Sequence, residues 1–406
     1  MTRGETTLTT TSGFPFAEQD ELAAHRAWDT AREIGQQPEL WREVAAILTD
    51  RRADLDRFLA PLLAEPHLRI VLTGAGTSAF VAGVLAPAIA RGRRRRIDAV
   101  ATTDIVSNPR EAFAEDVPTL LVSFARSGDS PESLAATDLA DQCLSSAHHL
   151  VVTCNADGAL AQRHAERADS LVLLMPPRSH DRGFAMTSSF TCMVLATFLA
   201  FDPTGTAVHD VERLAGAAER LLAEHESEIT ALARRGYRRV VYLGSGSLRA
   251  LARESALKLL ELTAGGVDSY FESSLGFRHG PKSMLDERTV AIVYVSNDPY
   301  TRRYDEDIVD ELRQSVGDDH VLEVTAHGGE RADGTGGLRI PELEGLPDPL
   351  AGIVFVLVAQ LFGLRASLAL GRTPDNPFPD GEVNRVVKGV VVHPLPAAPD
   401  PHGREA

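Results

Sequence analysis

Three apolar segments recur in the same order at nearly constant spacing, and this internal duplication leaves few architectures open to the chain. Arg69–Phe80 (RIVLTGAGTSAF) is matched by Arg239–Ala250 (RVVYLGSGSLRA), so that Gly244 follows Gly74 by 170 positions. Thr119–Ser123 (TLLVS) is matched by Val290–Ser296 (VAIVYVS), and His148–Thr153 (HHLVVT) by His320–Thr325 (HVLEVT), 172 positions on. Each copy alternates these β-branched segments with helical stretches such as Ser130–Gln142 and Arg249–Thr263. Such alternation predicts parallel strands joined by crossover helices, with a sheet covered on both faces. The near-continuous apolar strands, IVLT and LVVT among them, fit burial on both sides. The expected fold is α/β: two tandem doubly wound, flavodoxin-like parallel-sheet domains with an N-terminal helical extension. The expected division is 1–55 for the extension, 56–215 and 216–390 for the two domains, and 391–406 for a flexible tail. Ala17–Ile34 and Leu40–Leu63 read as helices of the extension, with Pro38 at the break.

Charge narrows the partners. The net charge is −16, which argues against nucleic acid, because phosphate backbones are held by basic surfaces. The Arg91–Arg96 run (RGRRRR) reads as a solvated helix end whose cations complement the helix dipole. Three cysteines, Cys143, Cys154 and Cys192, cannot make a disulfide framework, and no Cys/His spacing suggests a metal. A reducing cytoplasm fits. Met1–Gly13 has no apolar core of the kind a signal peptide needs. Ala351–Leu370 is about the length of a membrane span, but Gln360 and Arg365 interrupt it, and it is expected to be a buried core or interface helix rather than a membrane segment.

Two turns at strand ends carry hydroxyls. One is Gly74–Ser78 (GAGTS), with Gly76, Thr77 and Ser78; the other is Ser123–Ser133 (SFARSGDSPES), with Ser127, Gly128 and Ser130 ahead of Pro131. A glycine admits close backbone approach, hydroxyls donate, and a helix N-terminus adds partial positive charge, which together suit a phosphomonoester. Arg126 offers a further charged contact, the alternative being that it only pairs on the surface. Taken singly, each of these serines reads more readily as a helix cap than as a ligand; together, on neighbouring strand ends, they favour phosphate. Neither glycine turn completes GxGxxG and there is no Walker A stretch, so no dinucleotide or ATP cofactor is expected.

These turns, followed by ESALKLLEL and FRHGP, resemble the sugar isomerase (SIS) family. TAREIGQQPELW (Thr30–Trp41), SFARSGDSPES, SHDRGFAMTSSFT (Ser179–Thr191) and NPFPDGEVNRVVKGVVVHP (Asn376–Pro394) are similar to its AgaS-type branch of tagatose-6-phosphate ketose/aldose isomerases and galactosamine-6-phosphate deaminases. The resemblance implies that Ser78, Ser127 and Ser130 are phosphate-binding hydroxyls, although the first serine of the family's turn is Ala125 here, where Arg126 or Ser123 would have to compensate. It implies Glu261 as the proton-transfer base and His279 as the group that opens the sugar ring, supplied in relatives by a neighbouring subunit. Lys258 and Lys388 match lysines of the family's site. Glu254, Lys258 and Glu261 share one helix face at i, i+4 and i+7. Among the leucines of that helix the charged stripe is expected to face a cleft, the alternative being a solvated ladder of ion pairs.

The implied reaction releases ammonia from galactosamine 6-phosphate to leave tagatose 6-phosphate; simple aldose–ketose isomerisation of a neutral hexose 6-phosphate comes second. A non-catalytic sugar-phosphate sensor is the third reading. The expected partner is a small sugar phosphate, without nucleic acid or membrane, on a homodimer or homotetramer.

Overall fold

The computed structural model describes residues 19–328, 337–387 and 389–396. It contains two parallel five-stranded sheets. The first comprises β1 (Arg69–Thr73), β2 (Ile97–Ala99), β3 (Thr119–Ala125), β4 (Ala147–Thr153) and β5 (Ser170–Leu174) in the order β2-β1-β3-β4-β5. The second comprises β6 (Arg239–Gly244), β7 (Asp268–Glu272), β8 (Thr289–Tyr294), β9 (Val321–Thr325) and β10 (Gly337–Arg339), in the order β10-β9-β8-β6-β7. Counted from the first strand of each, both sheets have the same doubly wound order. Strand order therefore reverses between β1 and β3 and again between β6 and β8, where ligands gather in open α/β sheets.

The duplication extends to backbone detail. Gly76 has φ 55° and ψ −128°, and Gly246, 170 positions on, has φ 56° and ψ −123°. A Cβ on Gly74 would lie 2.6 Å from the Ser78 backbone, and one on Gly244 would lie 2.8 Å from Leu248. In both copies the helix turns back so tightly on its strand that a side chain is excluded. The two helices that follow, Thr77–Arg93 and Ser247–Leu262, pack on each other. A Cβ at Gly83 would meet Ala250 at 2.9 Å, and the Arg253 guanidinium lies 4.5 Å from the centre of the Phe80 ring. Since 80 and 83 correspond to 250 and 253, these are the two ends of one contact related by a local two-fold.

The extension differs from expectation in its breaks. It forms Gln19–Ala24, Trp28–Gly35, Gln37–Asp50 and Arg52–Ala64, and Pro38 sits inside the first turn of the third of these. Proline is accepted there because the first N–H groups of a helix have no intrahelical acceptor. Helix Asp348–Ala369 is long and apolar enough to cross a membrane, but its residues from Pro349 to Leu368 are buried within the protein. Its Arg365 is enclosed and ion-paired to Glu226. The basic run is largely solvated, as expected: Arg91, Arg94 and Arg96 are exposed, Arg96 pairing with Asp98 at 2.9 Å, while Arg95 donates to the carbonyls of Glu65 and Leu68. All three cysteines are free thiols. The expected loose tail is anchored where described: Arg110 donates to the Pro396 carbonyl at 2.7 Å, and Leu395 packs on the first domain.

Candidate active site

Helix Ser247–Leu262 carries the three charges predicted to share a face. The face points inward rather than to solvent. Glu254 and Lys258 are completely enclosed, and the Glu261 side chain keeps 22% of its surface. Lys258 Nζ lies 2.5 Å from Glu261 Oε2 and 3.4 Å from Glu254 Oε1. Its third partner comes from the other domain: Nζ donates to Thr77 Oγ1 at 2.9 Å, and the Thr77 hydroxyl in turn lies 3.3 Å from Glu254 Oε1. The ammonium has three N–H bonds and three oxygens around it.

Electrostatics follow from that enclosure. Burial works against the Lys258 ammonium, but the charges of Glu254 and Glu261 outweigh it and hold the group above the usual lysine value. Burial raises the Glu254 carboxyl to about 8, against the pull of Lys258 and with the push of Glu261. Glu261 alone of the three combines a charged partner with an opening to solvent, so it is the carboxylate that a small molecule can reach.

The two hydroxyl turns lie beyond the ends of β1 and β3. Thr77 and Ser78 are buried in the first turn of their helix after Gly76. Ser127 is half-buried; its hydroxyl accepts from Asp129 N at 3.3 Å and its carbonyl from Asn155 Nδ2 at 2.9 Å. Ser130 caps helix Pro131–Cys143, accepting from Ser133 N at 3.3 Å, with its Oγ 2.7 Å from that of Ser133. Gly128, at φ 75°, makes the bend between them.

Arg126 does not meet the expectation of a phosphate contact. It is buried, and its Nη1 donates to the carbonyls of Gly183 (3.4 Å) and Phe184 (2.9 Å) while Nη2 donates to that of Arg385 (2.7 Å). Burial lowers its pKa, as does Arg385; Asp181, Glu261 and Glu33 push the other way. Ser123 is enclosed within β3, so neither residue restores the hydroxyl absent at Ala125. His279 is exposed, in the loop after β7. Lys388 lies outside the described residues.

Sequence reasoning missed what joins its four singled-out strings. Glu33 accepts from the N–H groups of both Arg182 and Gly183, and a Cβ on Gly183 would lie 2.9 Å from Glu33 Oε2. Asp181 caps helix Ser188–Ala200, accepting from the N–H groups of Thr187, Ser188 and Ser189. Asp375 takes the N–H groups of Asp29 and Thr30 at the start of helix Trp28–Gly35. Phe378 packs against Phe184 with ring centres 5.1 Å apart and the rings tilted by 53°, and Arg385 reaches the Asp181 carbonyl. Arg126 thus holds together a loop and a C-terminal segment that are far apart in sequence. A cavity of about 830 Å³ is bounded by this loop and helix Trp28–Gly35, but none of the cradle's hydroxyls lines it. Among the described residues no cluster of His, Cys, Asp or Glu is arranged to hold a metal ion.

Comparison with known proteins agrees with the duplicated α/β fold. The SIS domain model matches residues 62–202 and 235–369, once in each repeat. The AgaS protein of Streptomyces coelicolor is 57% identical over 93% of this chain and 97% of its own length. The D-galactosamine-6-phosphate deaminase AgaS of a Shewanella species is 44% identical over 94% of this chain and 98% of its own. The crystal structure of tagatose-6-phosphate ketose/aldose isomerase from Escherichia coli superposes with a TM-score of 0.83 at 39% identity, covering 91% of this chain and 97% of that one. The chain belongs to the SIS domain family, in its AgaS branch.

Proposed function

We propose that this protein is a sugar-phosphate deaminase that converts galactosamine 6-phosphate to tagatose 6-phosphate and ammonia. The observation that carries the reading is the placement of Glu261. It is a carboxylate open to solvent on one side and set on a buried ammonium that is itself bonded to Thr77 of the hydroxyl turn. A phosphate gripped by Ser78, Ser127 and Ser130 and the N–H groups of Gly76 and Thr77 would direct the far end of a hexose towards it. Full-length relatives named as galactosamine-6-phosphate deaminases support the choice of an amino sugar.

On this reading His279, delivered by a second subunit, moves a proton between ring oxygen and the C1 hydroxyl to expose the aldehyde. Glu261 removes the C2 proton, leaving an enolamine with its hydroxyl on C1. Return of the proton to C1 gives a C2 imine. Water then adds at C2 and ammonia leaves, so the keto sugar forms without any change in overall oxidation state. Lys258, enclosed with all its donors taken, works through Glu261 as a positioning residue, and Lys388 is assigned to the substrate by family likeness. The assembly is a homodimer or homotetramer with shared sites, which accounts for an exposed His279. The division at residues 55, 215 and 390, and a cytoplasmic setting consistent with three free thiols, are part of the same proposal.

The deciding measurement is ammonia release from galactosamine, glucosamine and N-acetylated 6-phosphates. Ammonia and a ketose from galactosamine 6-phosphate are expected. Interconversion of neutral hexose 6-phosphates with no ammonia from any amino sugar would instead favour the isomerase reading, which relatives of known structure carry in their names.

A further inference from the structure

The local two-fold that relates the domains also relates the candidate active site to a second cavity. A space of about 510 Å³ opens beyond β6 and β8, where strand order reverses in the second sheet. Its walls include Ser245, Gly246, Ser247 and Asp298 from the second domain, with Ala88 and Arg91 from the first. Shifted by 170 positions, Arg91 occupies the place of Glu261 and Ala88 that of Lys258. The acid–base pair of one half is therefore a guanidinium and a methyl group in the other, and the carboxylates that line this cavity, Asp298 and Asp348, are taken up by the N–H groups of Asn297, Tyr300 and Thr301.

The cradle has changed in the same sense. Leu248 stands where Ser78 does. Asp298 caps helix Pro299–Val316 as Ser130 caps its counterpart, accepting from Tyr300 N at 3.0 Å and Thr301 N at 3.1 Å. A carboxylate at that terminus takes up the N–H groups and repels a phosphate dianion. What remains recognises hydroxyls. Ser247 is only 5% exposed and lines the cavity, and its hydroxyl has no hydrogen-bond partner among the described residues. Lining the cavity, that hydroxyl is open to water, whose place a ligand hydroxyl can take. On the same wall Arg91 Nη1 donates to Asp298 Oδ2 at 3.3 Å, and the remaining N–H groups of the guanidinium and lone pairs of the carboxylate can take neighbouring hydroxyls of one ring.

We propose that this cavity is a second, non-catalytic site that binds an unphosphorylated sugar, a hexose or amino hexose. The proposal does not depend on which reaction the first site performs.

The test uses saturation-transfer NMR on the full chain with galactose, galactosamine and galactose 6-phosphate as probes. Galactose and galactosamine are expected to bind with Kd of roughly 1–10 mM, equally well in wild type and in Ser127→Ala. Ser247→Leu, which fills the cavity, should weaken that binding at least about tenfold while leaving kcat/KM for the phosphorylated substrate unchanged. Arg91→Ala removes a side chain that is 72% exposed, so it tests the same site without burdening folding, and should weaken binding likewise. The proposal is overturned if neither free sugar binds wild type at tens of millimolar concentration, if binding is lost in Ser127→Ala, or if it survives both Ser247→Leu and Arg91→Ala.

Discussion

Lys258 Nζ on the second domain and Thr77 Oγ1 on the first are 2.9 Å apart, and together with the Thr77–Glu254 contact at 3.3 Å this bond joins the charged helix face of one repeat to the hydroxyl turn of the other. Each residue stands within the paired helices that cross at the local two-fold. Neither domain alone contains both halves of the proposed site.

Removing the base should stop chemistry without stopping binding. Glu261→Gln keeps the shape of the side chain and loses its ability to accept a proton. A fall of roughly 10²–10⁴ in kcat with little change in substrate affinity is expected from steady-state rates and equilibrium binding. Turnover near that of wild type would reassign the base.

Lys258→Met should cost stability as well as rate. Taking away the ammonium leaves Glu254 and Glu261 facing each other in a buried space, which typically costs about 3–5 kcal/mol. Adding Glu254→Gln should restore much of the melting temperature but not the activity. Recovery of both by the double variant would show that the lysine has only a structural task.

Stability should fall with rising pH through Glu33. Burial, reinforced by Asp181, raises its carboxyl from 4.5 to about 8. A carboxyl raised in the fold keeps its proton after the unfolded chain has ionised. Its contribution is therefore complete below the ordinary carboxylate range and is lost as pH climbs towards 8, at up to about 1.4 kcal/mol per pH unit. Glu33→Gln should flatten the difference in melting temperature between pH 5 and pH 8; an unchanged slope would place the titration elsewhere.

Arg126→Met should loosen the C-terminal segment. Three carbonyls lose their donor, at about 1–3 kcal/mol for each one left buried and unpaired. Faster amide exchange across residues 373–387 and a raised KM are the expected readouts, with kcat affected less. Exchange confined to the Ser123–Ser133 turn would argue for a local role instead.

The helix pair at the two-fold can be tested by volume. Gly83→Ala drives its Cβ to within 2.9 Å of Ala250, an overpacking that costs roughly 1–3 kcal/mol. Ala250→Gly in the same chain should return most of the lost melting temperature, less the penalty of up to about 1 kcal/mol for glycine in a helix.

Much of the architecture was legible in the chain because its causes are local and repeated. Gly74 and Gly244 each sit where a helix folds back on its strand, and a duplicated steric need leaves a duplicated residue. The charged stripe of Glu254, Lys258 and Glu261 was visible from helical spacing. Pro38 misled because proline is tolerated in a helix's first turn as readily as outside one. Strands β2 and β10, three residues each, are too short to show a period. Arg126 was misread because its charge suggested an anion, whereas its partners are carbonyls 57 to 259 positions away.

By itself the sequence determined the repeat, the parallel sheets and the residue types that a sugar-phosphate site requires, since each of these is written in periodicity, glycine placement and short-range motifs. Only the tertiary structure decided which face of helix Ser247–Leu262 is buried and that Thr77 closes the lysine's coordination. It likewise decided that Arg91, the repeat counterpart of Glu261, lines a second cavity between the domains. Those are contacts between segments well over a hundred positions apart, and their energies depend on the burial and approach that come only when two separately wound sheets pack around one shared two-fold.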